Sequence, residues 1–287
     1  MLKRTNDTEK LSFNKLYHSS KKNVIKQKYN KKEICPHLKF GNFQQNTKVK
    51  CYQVVEAILY RLKTGCQWRQ LPMKQFFKIK YEWASVYHHF QKWSKDGSWE
   101  SIWRILLNKY KHLLDMSSIQ LDGTHTPTKR GGAAVGYQGR KKSKTSNMLI
   151  ITDSQGIPLS CSNPIAGNHN DAHDLVKTVD KMMLNIQESN IPTDWLFLNA
   201  DAGFDTKEFR SYCFENDIID NIDQNKRNGN PGGHLFDSLL YKCRFVIERT
   251  NAWLDAFKAL LIRFETNEIH WKALNLMAFC IILLRQL

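Results

Sequence analysis

The sequence changes character near residue 117, and that change limits the folds open to it. Upstream, apolar residues recur at helical spacing; downstream, short extended runs alternate with helical stretches. From about 49 to 115 three stripes stand out. Val54, Val55, Ile58, Leu59 and Leu62 form the first, and Gly65 and Leu71-Pro72 punctuate the segment after it. Trp83, Val86, Tyr87, Phe90 and Trp93 form the second, ended near Gly97. Trp99, Ile102, Trp103, Leu106, Tyr110 and Leu113 form the third. Three short aromatic-rich helices predict an all-helical, helix-turn-helix-like domain over 33–115. Aromatics at these spacings belong to a core, whereas Tyr87, His88, His89 and Lys92 are candidates for a polar face toward nucleic acid.

Beyond 117 the reading is a strand ending at Asp122, a glycine-rich loop over 126–145, and a hairpin from MLIITD (148–153) and IPLSCSNPIA (157–166). A helix from about 171 to 188 comes next, with Asp171 as its N-cap. Then come a strand at 195–200, a helix over 207–215, a short strand at 218–222, a long helix over 238–262 and a last helix at about 269–285. That order predicts an α/β domain over 116–287, a mixed sheet flanked by helices as in RNase H-like folds.

Charge narrows the partner. The net charge is +16, so the chain should bind polyanions through counterion release. Residues 1–50 hold 13 Lys/Arg against 3 Asp/Glu, and 1–32, without apolar periodicity, read as a disordered basic tail. A second island comprises Lys129, Arg130, Arg140, Lys141, Lys142 and Lys144, in a stretch without an acid from Asp122 to Asp153. Gly131, Gly132, Gly136 and Gly139 lie among these cations, as a DNA-gripping loop or a hairpin tip. The seven cysteines include no CxxC pair, and Cys35-Pro-His37 lacks a second zinc half-site, so reduced thiols in a cytoplasmic protein are expected. No signal peptide is evident, and the apolar stretch at Leu274–Leu284 is too short to span a bilayer.

Three acids carry the chemistry. Asp122 closes SIQLDG, Asp201 closes LFLNADAGF, and Glu248 lies in the helical stretch YKCRFVIERTNAWLDAFK. Carboxylates beside buried strands are costly, and a divalent cation is the usual compensation. Small residues come after both aspartates (Gly123; Ala202 and Gly203), which lets a phosphate backbone approach. Along the helix, Tyr241, Arg244, Glu248, Asn251, Asp255 and Lys258 recur in steps of three and four as one polar stripe. Such a stripe suits either a salt-bridged surface or a DNA-terminus site, where arginine forks onto a phosphate. His125, and His169 with His173, are weaker candidates; hydrogen-bonding and loop roles suit them as well.

From about residue 33 onward the sequence resembles the DDE transposases of bacterial insertion sequences, of the insertion-sequence-five type. YRLKTGCQWRQLP (60–72), LDGTHTPTKRGGAAVGYQGRKKSKTSN (121–147), NADAGFD (199–205) and IERTNAWLDAFKALLIRF (247–264) carry the resemblance. It implies an RNase H-like domain bearing the catalytic, metal-binding triad Asp122, Asp201 and Glu248, and an N-terminal helical domain for terminal DNA. Tyr241 and Arg244 match the family's helical signature. Its lysine position holds Asp255, with Lys258 one turn later as the candidate replacement. The implied cofactor is two Mg²⁺ or Mn²⁺ ions, and the implied partners are double-stranded DNA (terminal inverted repeats and target) and further copies of the chain. The implied chemistry is hydrolysis at the element end, then attack of the freed 3′-hydroxyl on target DNA. A nuclease or resolvase without strand transfer, and a DNA-binding protein with a decayed catalytic domain, remain alternatives.

Overall fold

The computed structural model describes residues 24–40, 48–170, 172–225 and 236–287. The three apolar stripes become α1 (Cys51–Thr64), α2 (Trp83–Lys95) and α3 (Ser98–Tyr110). Their ends reflect local chemistry. Gln53 Oε1 accepts the Lys50 N–H at 2.8 Å to start α1, and Gly65, at φ 68°, closes it. Between α2 and α3, Asp96 Oδ1 accepts from the Ser98 N–H and hydroxyl at 3.0 and 2.6 Å.

The sheet strands are β1 (Ile119–Pro127), β2 (Gly136–Gln138), β3 (Ser143–Thr152), β4 (Pro158–Cys161) and β5 (Ile165–Ala166). After α4 (Leu175–Gln187) come β6 (Phe197–Ala200), α5 (Lys207–Glu215) and β7 (Ile219–Ile222). The main path is β2-β3-β1-β6-β7, with β4 and β5 also paired to β3. β3 is antiparallel to β1, β2, β4 and β5, whereas β6 runs parallel to β1 and to β7. This is the expected mixed, RNase H-like sheet. From Thr145 to Thr152 every β3 residue is buried, as a strand covered on both faces requires.

The remaining helices are α6 (Ser238–Lys242), α7 (Val246–Asp255), α8 (Lys258–Leu261) and α9 (Glu268–Leu284). α9 is apolar all round, every residue from Ala273 to Leu284 is buried, and it packs against α1, α2 and α3 as well as α7 and α8. The helices and the sheet share one hydrophobic core. Trp103 Nε1 of α3 donates to Leu159 O of β4 at 2.9 Å, and the buried pair Arg61–Glu265 closes at 2.7 Å.

Several expectations change. β1 does not end at Asp122 but continues to Pro127, held by β3 through the pairs Gly123↔Leu149 to Pro127↔Thr145. Much of the loop read at 126–145 is strand; a turn over 139–142 joins β2 to β3, with the Lys142 N–H on Gly139 O at 3.2 Å. The helix read from 171 begins at Leu175; Asp171 lies outside the described residues. The long helix read over 238–262 is broken. A 3₁₀ turn at Cys243–Phe245 separates α6 from α7, and Phe257 (φ −97°, ψ 97°), fully buried, separates α7 from α8. Neither Gly nor Pro marks that second break; burial of the Phe257 ring is what it accomplishes. Residues 24–32 are not a free tail, because Ile25 and Asn30 are buried and Asn30 Nδ2 donates to Tyr52 O at 3.0 Å. The rest of that tail, 1–23, lies outside the described residues. The polar face read on α2 is divided, with Tyr87 and His89 partly buried. Tyr87 packs on Trp68, and His89 stacks on Phe40 with its pKa pushed down to about 4 by burial. His88 and Lys92 remain exposed.

Candidate active site

The parallel register of β1 and β6 sets the centre of the site. Ile119 faces Leu198, Gln120 faces Asn199 and Leu121 faces Ala200, and the next residues along the two strands are Asp122 and Asp201. Strand alternation puts Asp122 on the side of Gln120, and Asp201 succeeds Asn199 likewise. Those neighbours belong to a buried amide ladder across three strands. Asn199 Nδ2 donates to Gln120 Oε1 at 2.9 Å and Asn221 Nδ2 to Asn199 Oδ1 at 2.7 Å. Asn221 also exchanges hydrogen bonds with the Asp237 backbone at 2.9 and 3.0 Å. Asp237 in turn caps α6 through the Leu239 and Leu240 N–H groups. One polar ladder thus fixes the strands beneath both aspartates and the start of the helix bearing Tyr241.

α7 is seated at two points. Thr124 Oγ1 of β1 donates to Asn251 Oδ1 at 3.0 Å, and Thr250 Oγ1 donates to Gly156 O at 2.5 Å in the β3–β4 turn. Gly156 has φ 83°, and an added Cβ would come within 2.9 Å of Val246 O, so only glycine permits this approach. The seating brings Glu248 and Arg244 within electrostatic reach of Asp122. Burial pushes the Asp122 carboxyl up to about 6, the Gly123 backbone amide and Arg244 oppose that rise, and the charges of Asp201 and Glu248 add to it. Asp201 Oδ1 accepts the Gly203 N–H at 2.8 Å. Burial also raises the Tyr241 phenol; Arg244 opposes the rise while Asp223 and Asp201 reinforce it, and the Arg244 guanidinium lies 5.6 Å from the Tyr241 ring centre. The five residues Asp122, Asp201, Glu248, Tyr241 and Arg244 therefore form one neighbourhood. Like-charged carboxylates repel, and among the described residues no three His, Cys, Asp or Glu side chains are close enough to form a ligand cluster. The donor set is all oxygen, which suits a hard divalent cation.

Lys258 does not continue the α7 stripe, because the break at Phe257 redirects the chain. It lies instead against Gly65 at the end of α1. Lys129, Arg130, Arg140, Lys141, Lys142 and Lys144 are all exposed, on the β2–β3 hairpin and the segment entering it. None of them pairs with a carboxylate among the described residues. His125 Nδ1 lies 3.3 Å from Thr145 Oγ1 across β1 and β3, a sheet contact. His169 and His173 stack at 3.9 Å in the turn before α4.

Sequence reasoning missed three supports. The amide ladder is one; its only trace is a polar residue inside each strand. Arg263 is another, a buried guanidinium that donates to Ala133 O, Ala134 O, Glu265 O and Ser146 Oγ and so fastens the approach to the basic hairpin. The third is Asp205 of NADAGFD, which pairs with Arg210 at 2.7 Å and accepts the Asn225 N–H, bracing the loop after β6.

The family described as "DDE superfamily endonuclease" matches residues 121–285, over half of the chain, and the protein belongs to that family. Residues 32–103 match a second family, described as "Putative transposase of IS4/5 family". A curated relative, "Putative transposase for insertion sequence element IS402" of Burkholderia cepacia, is 31% identical over 130 residues, 44% of this chain; the chain spans 57% of that relative's length. Two solved structures, a pre-cleavage Mos1 transpososome and a Mos1 mariner paired end complex with Mn, are each 12% identical with TM-scores of 0.30. They cover 84% and 85% of this chain, and 81% of their own chains in each case. Among the described residues no helix is long and apolar enough to cross a membrane.

Proposed function

We propose that the protein is a DNA transposase that cleaves at the ends of an insertion sequence and joins the freed 3′-hydroxyl to target DNA. One observation carries this reading: the β1–β6 register runs up to Asp122 and Asp201, with Glu248 of α7 and Arg244 of the turn before it acting on Asp122. Asp122, Asp201 and Glu248 would hold divalent cations, two Mg²⁺ or Mn²⁺. Bound there, the ions would supply charge to the attacking and leaving oxygens of an in-line phosphoryl transfer. The chain's own residues do the rest. Two strands on a common amide ladder hold Asp122 and Asp201 at fixed spacing, and α7 presents Glu248 from its first turn. Arg244 offers a bidentate fork to a phosphate oxygen pair, and the Tyr241 ring beside it supports the guanidinium. The β2–β3 hairpin, with its exposed cations, grips the duplex outside the reacting phosphate. The substrates are terminal inverted repeats and target duplex. Joining two ends to one target calls for more than one site, hence a homo-oligomer assembled on DNA in the bacterial cytoplasm.

Asp122→Asn, Asp201→Asn and Glu248→Gln should each lower Mg²⁺-dependent cleavage of a terminal-repeat duplex by roughly 10³-fold or more, the scale of several kcal/mol of lost charge stabilisation. Duplex affinity should stay near wild type. Wild-type cleavage by any of the three would remove that residue from the centre, and products nicked but never joined to target would replace the transposase with a nuclease. The hairpin has its own test. Replacing Arg140, Lys141, Lys142 and Lys144 with alanine should flatten the plot of log affinity against log salt by roughly 0.9 for each phosphate no longer neutralised. Sequence preference should survive, because phosphate contacts position the duplex without reading bases. An unchanged slope would make the hairpin tip a solvated turn.

A further inference from the structure

Three cations meet where α1 ends, α8 begins and α9 ends. The Lys63 ammonium donates to Ala256 O at 2.8 Å and lies 5.6 Å from the centre of the Phe257 ring. The Arg285 guanidinium lies 5.6 Å from the same ring. Lys258 comes directly after Phe257, and its backbone runs so close to Gly65 that a Cβ there would stand 3.1 Å from the Lys258 carbonyl carbon. The break that removes Lys258 from the α7 stripe is therefore what delivers it to Lys63. None of the three pairs with a carboxylate among the described residues. Lys63 titrates below the ordinary lysine range, first because it is partly buried and then because Arg285 and Lys258 are beside it.

Like charges gathered at one junction oppose folding, and none of the three is ion-paired among the described residues. Their donors are only partly used. Lys63 commits one of three to Ala256 O, Arg285 commits one of five to Val24 O at 3.1 Å, and Lys258 is exposed. A guanidinium and an ammonium on one ring, with a third cationic residue beginning at the same junction, are chemistry for a phosphate, and partial burial strengthens such an interaction relative to a fully solvated one.

We propose that Lys63, Lys258 and Arg285 form a second phosphate-binding site, which holds a backbone phosphodiester of the DNA substrate other than the scissile one. The site rests on the reading of the protein as an enzyme acting on DNA. It joins the first helix of the helical layer to the last helix of the chain, so duplex bound there touches both halves of the molecule.

The full-length protein with Lys258→Glu is the test, because Lys258 is exposed and reversing its charge relieves repulsion. Expected are a Tm equal to or above wild type without DNA, weaker binding to a duplex, and a salt slope lowered by roughly 0.9. Lys258→Gln should give the same salt slope with a smaller change in Tm. A lowered Tm for Lys258→Glu, or the wild-type slope in both variants, would overturn the site. Inorganic phosphate serves as a second probe. If millimolar phosphate raises the wild-type Tm while the duplex slope ignores both substitutions, the cations hold a free anion and the DNA contact is refuted. If the wild type itself bound duplex with no salt dependence, the proposed function would fail along with it; a steep wild-type slope shared by both variants would remove only this site.

Discussion

Asp122 and Asp153 look alike from a distance and differ at close range. Each closes an apolar run, SIQLD in one case and MLIITD in the other, and burial pushes each carboxyl up to about 6. Around Asp153 the oxygens are satisfied by backbone. It accepts the N–H groups of Asp115, Gln155 and Ile157 at 2.9, 3.0 and 2.7 Å and is wholly buried. The β3–β4 turn it shapes is the one whose Gly156 and Gln155 carbonyls receive Thr250 and Arg249 of α7. Around Asp122 one backbone amide, that of Gly123, is joined by charges: one arginine and two other carboxylates. A raised carboxyl therefore does not by itself mark a reaction centre. What separates the two is how far the fold has answered the charge; Asp153 is answered by three amides, whereas Asp122 has the Gly123 amide and faces two further carboxylates.

The contrast is sharpest in activity. Asp153→Asn should leave kcat within about tenfold of wild type once corrected for folded fraction, against the roughly 10³-fold or larger loss expected for Asp122→Asn. A loss at position 153 as deep as at 122, in folded protein, would erase the distinction. Stability should move the two variants in opposite directions. Asp153→Asn would turn an amide N–H₂ toward backbone donors and remove charge-assisted bonds, at a cost of about 2–4 kcal/mol by urea unfolding. Asp122→Asn should instead stabilise the metal-free protein by on the order of 1–3 kcal/mol, since it removes a carboxylate that the fold disfavours. If both variants lost stability, the repulsion assigned to Asp122 would be wrong. The smallest effect is in pH. Both carboxyls take up protons more readily folded than unfolded, so their contribution to stability is complete below the ordinary aspartate pKa and is lost as pH rises toward 6. Asp122→Asn should flatten that dependence between pH 4 and 6 in the metal-free protein, read by urea unfolding across that range. An unchanged pH dependence in the variant would count against the raised carboxyl at Asp122.

Much of the architecture is legible in the residues because periodicity is local. The stripes at 54–62, 83–93 and 99–113 are α1, α2 and α3 within a few positions, and the runs closing at Asp122 and Asp201 are neighbouring strands. The rest depends on partners far along the chain. Nothing before Asp122 reveals that β3 will pair with it and extend the strand to Pro127, and no breaker announces the turn at Phe257, whose cause is a buried ring. Asp153 has the same local signature as Asp122, and only the amides that meet it tell them apart. The stripe containing Glu248 and Arg244 is visible as a helix face; that this face meets β1 depends on Asn251 finding Thr124.

α9 has a consequence in time. Its side chains are buried among helices formed from the first 110 residues; its Lys272 ties to Glu100 over 172 residues, and nearby Lys63 ties to Ala256 over 193. Closing such large loops is entropically slow, and the early helices expose apolar flanks until it happens. During synthesis the helical layer must wait, incompletely packed, until α9 emerges. A nascent chain short of that helix therefore has a core it cannot finish, and such a chain is the species most exposed to proteolysis and aggregation.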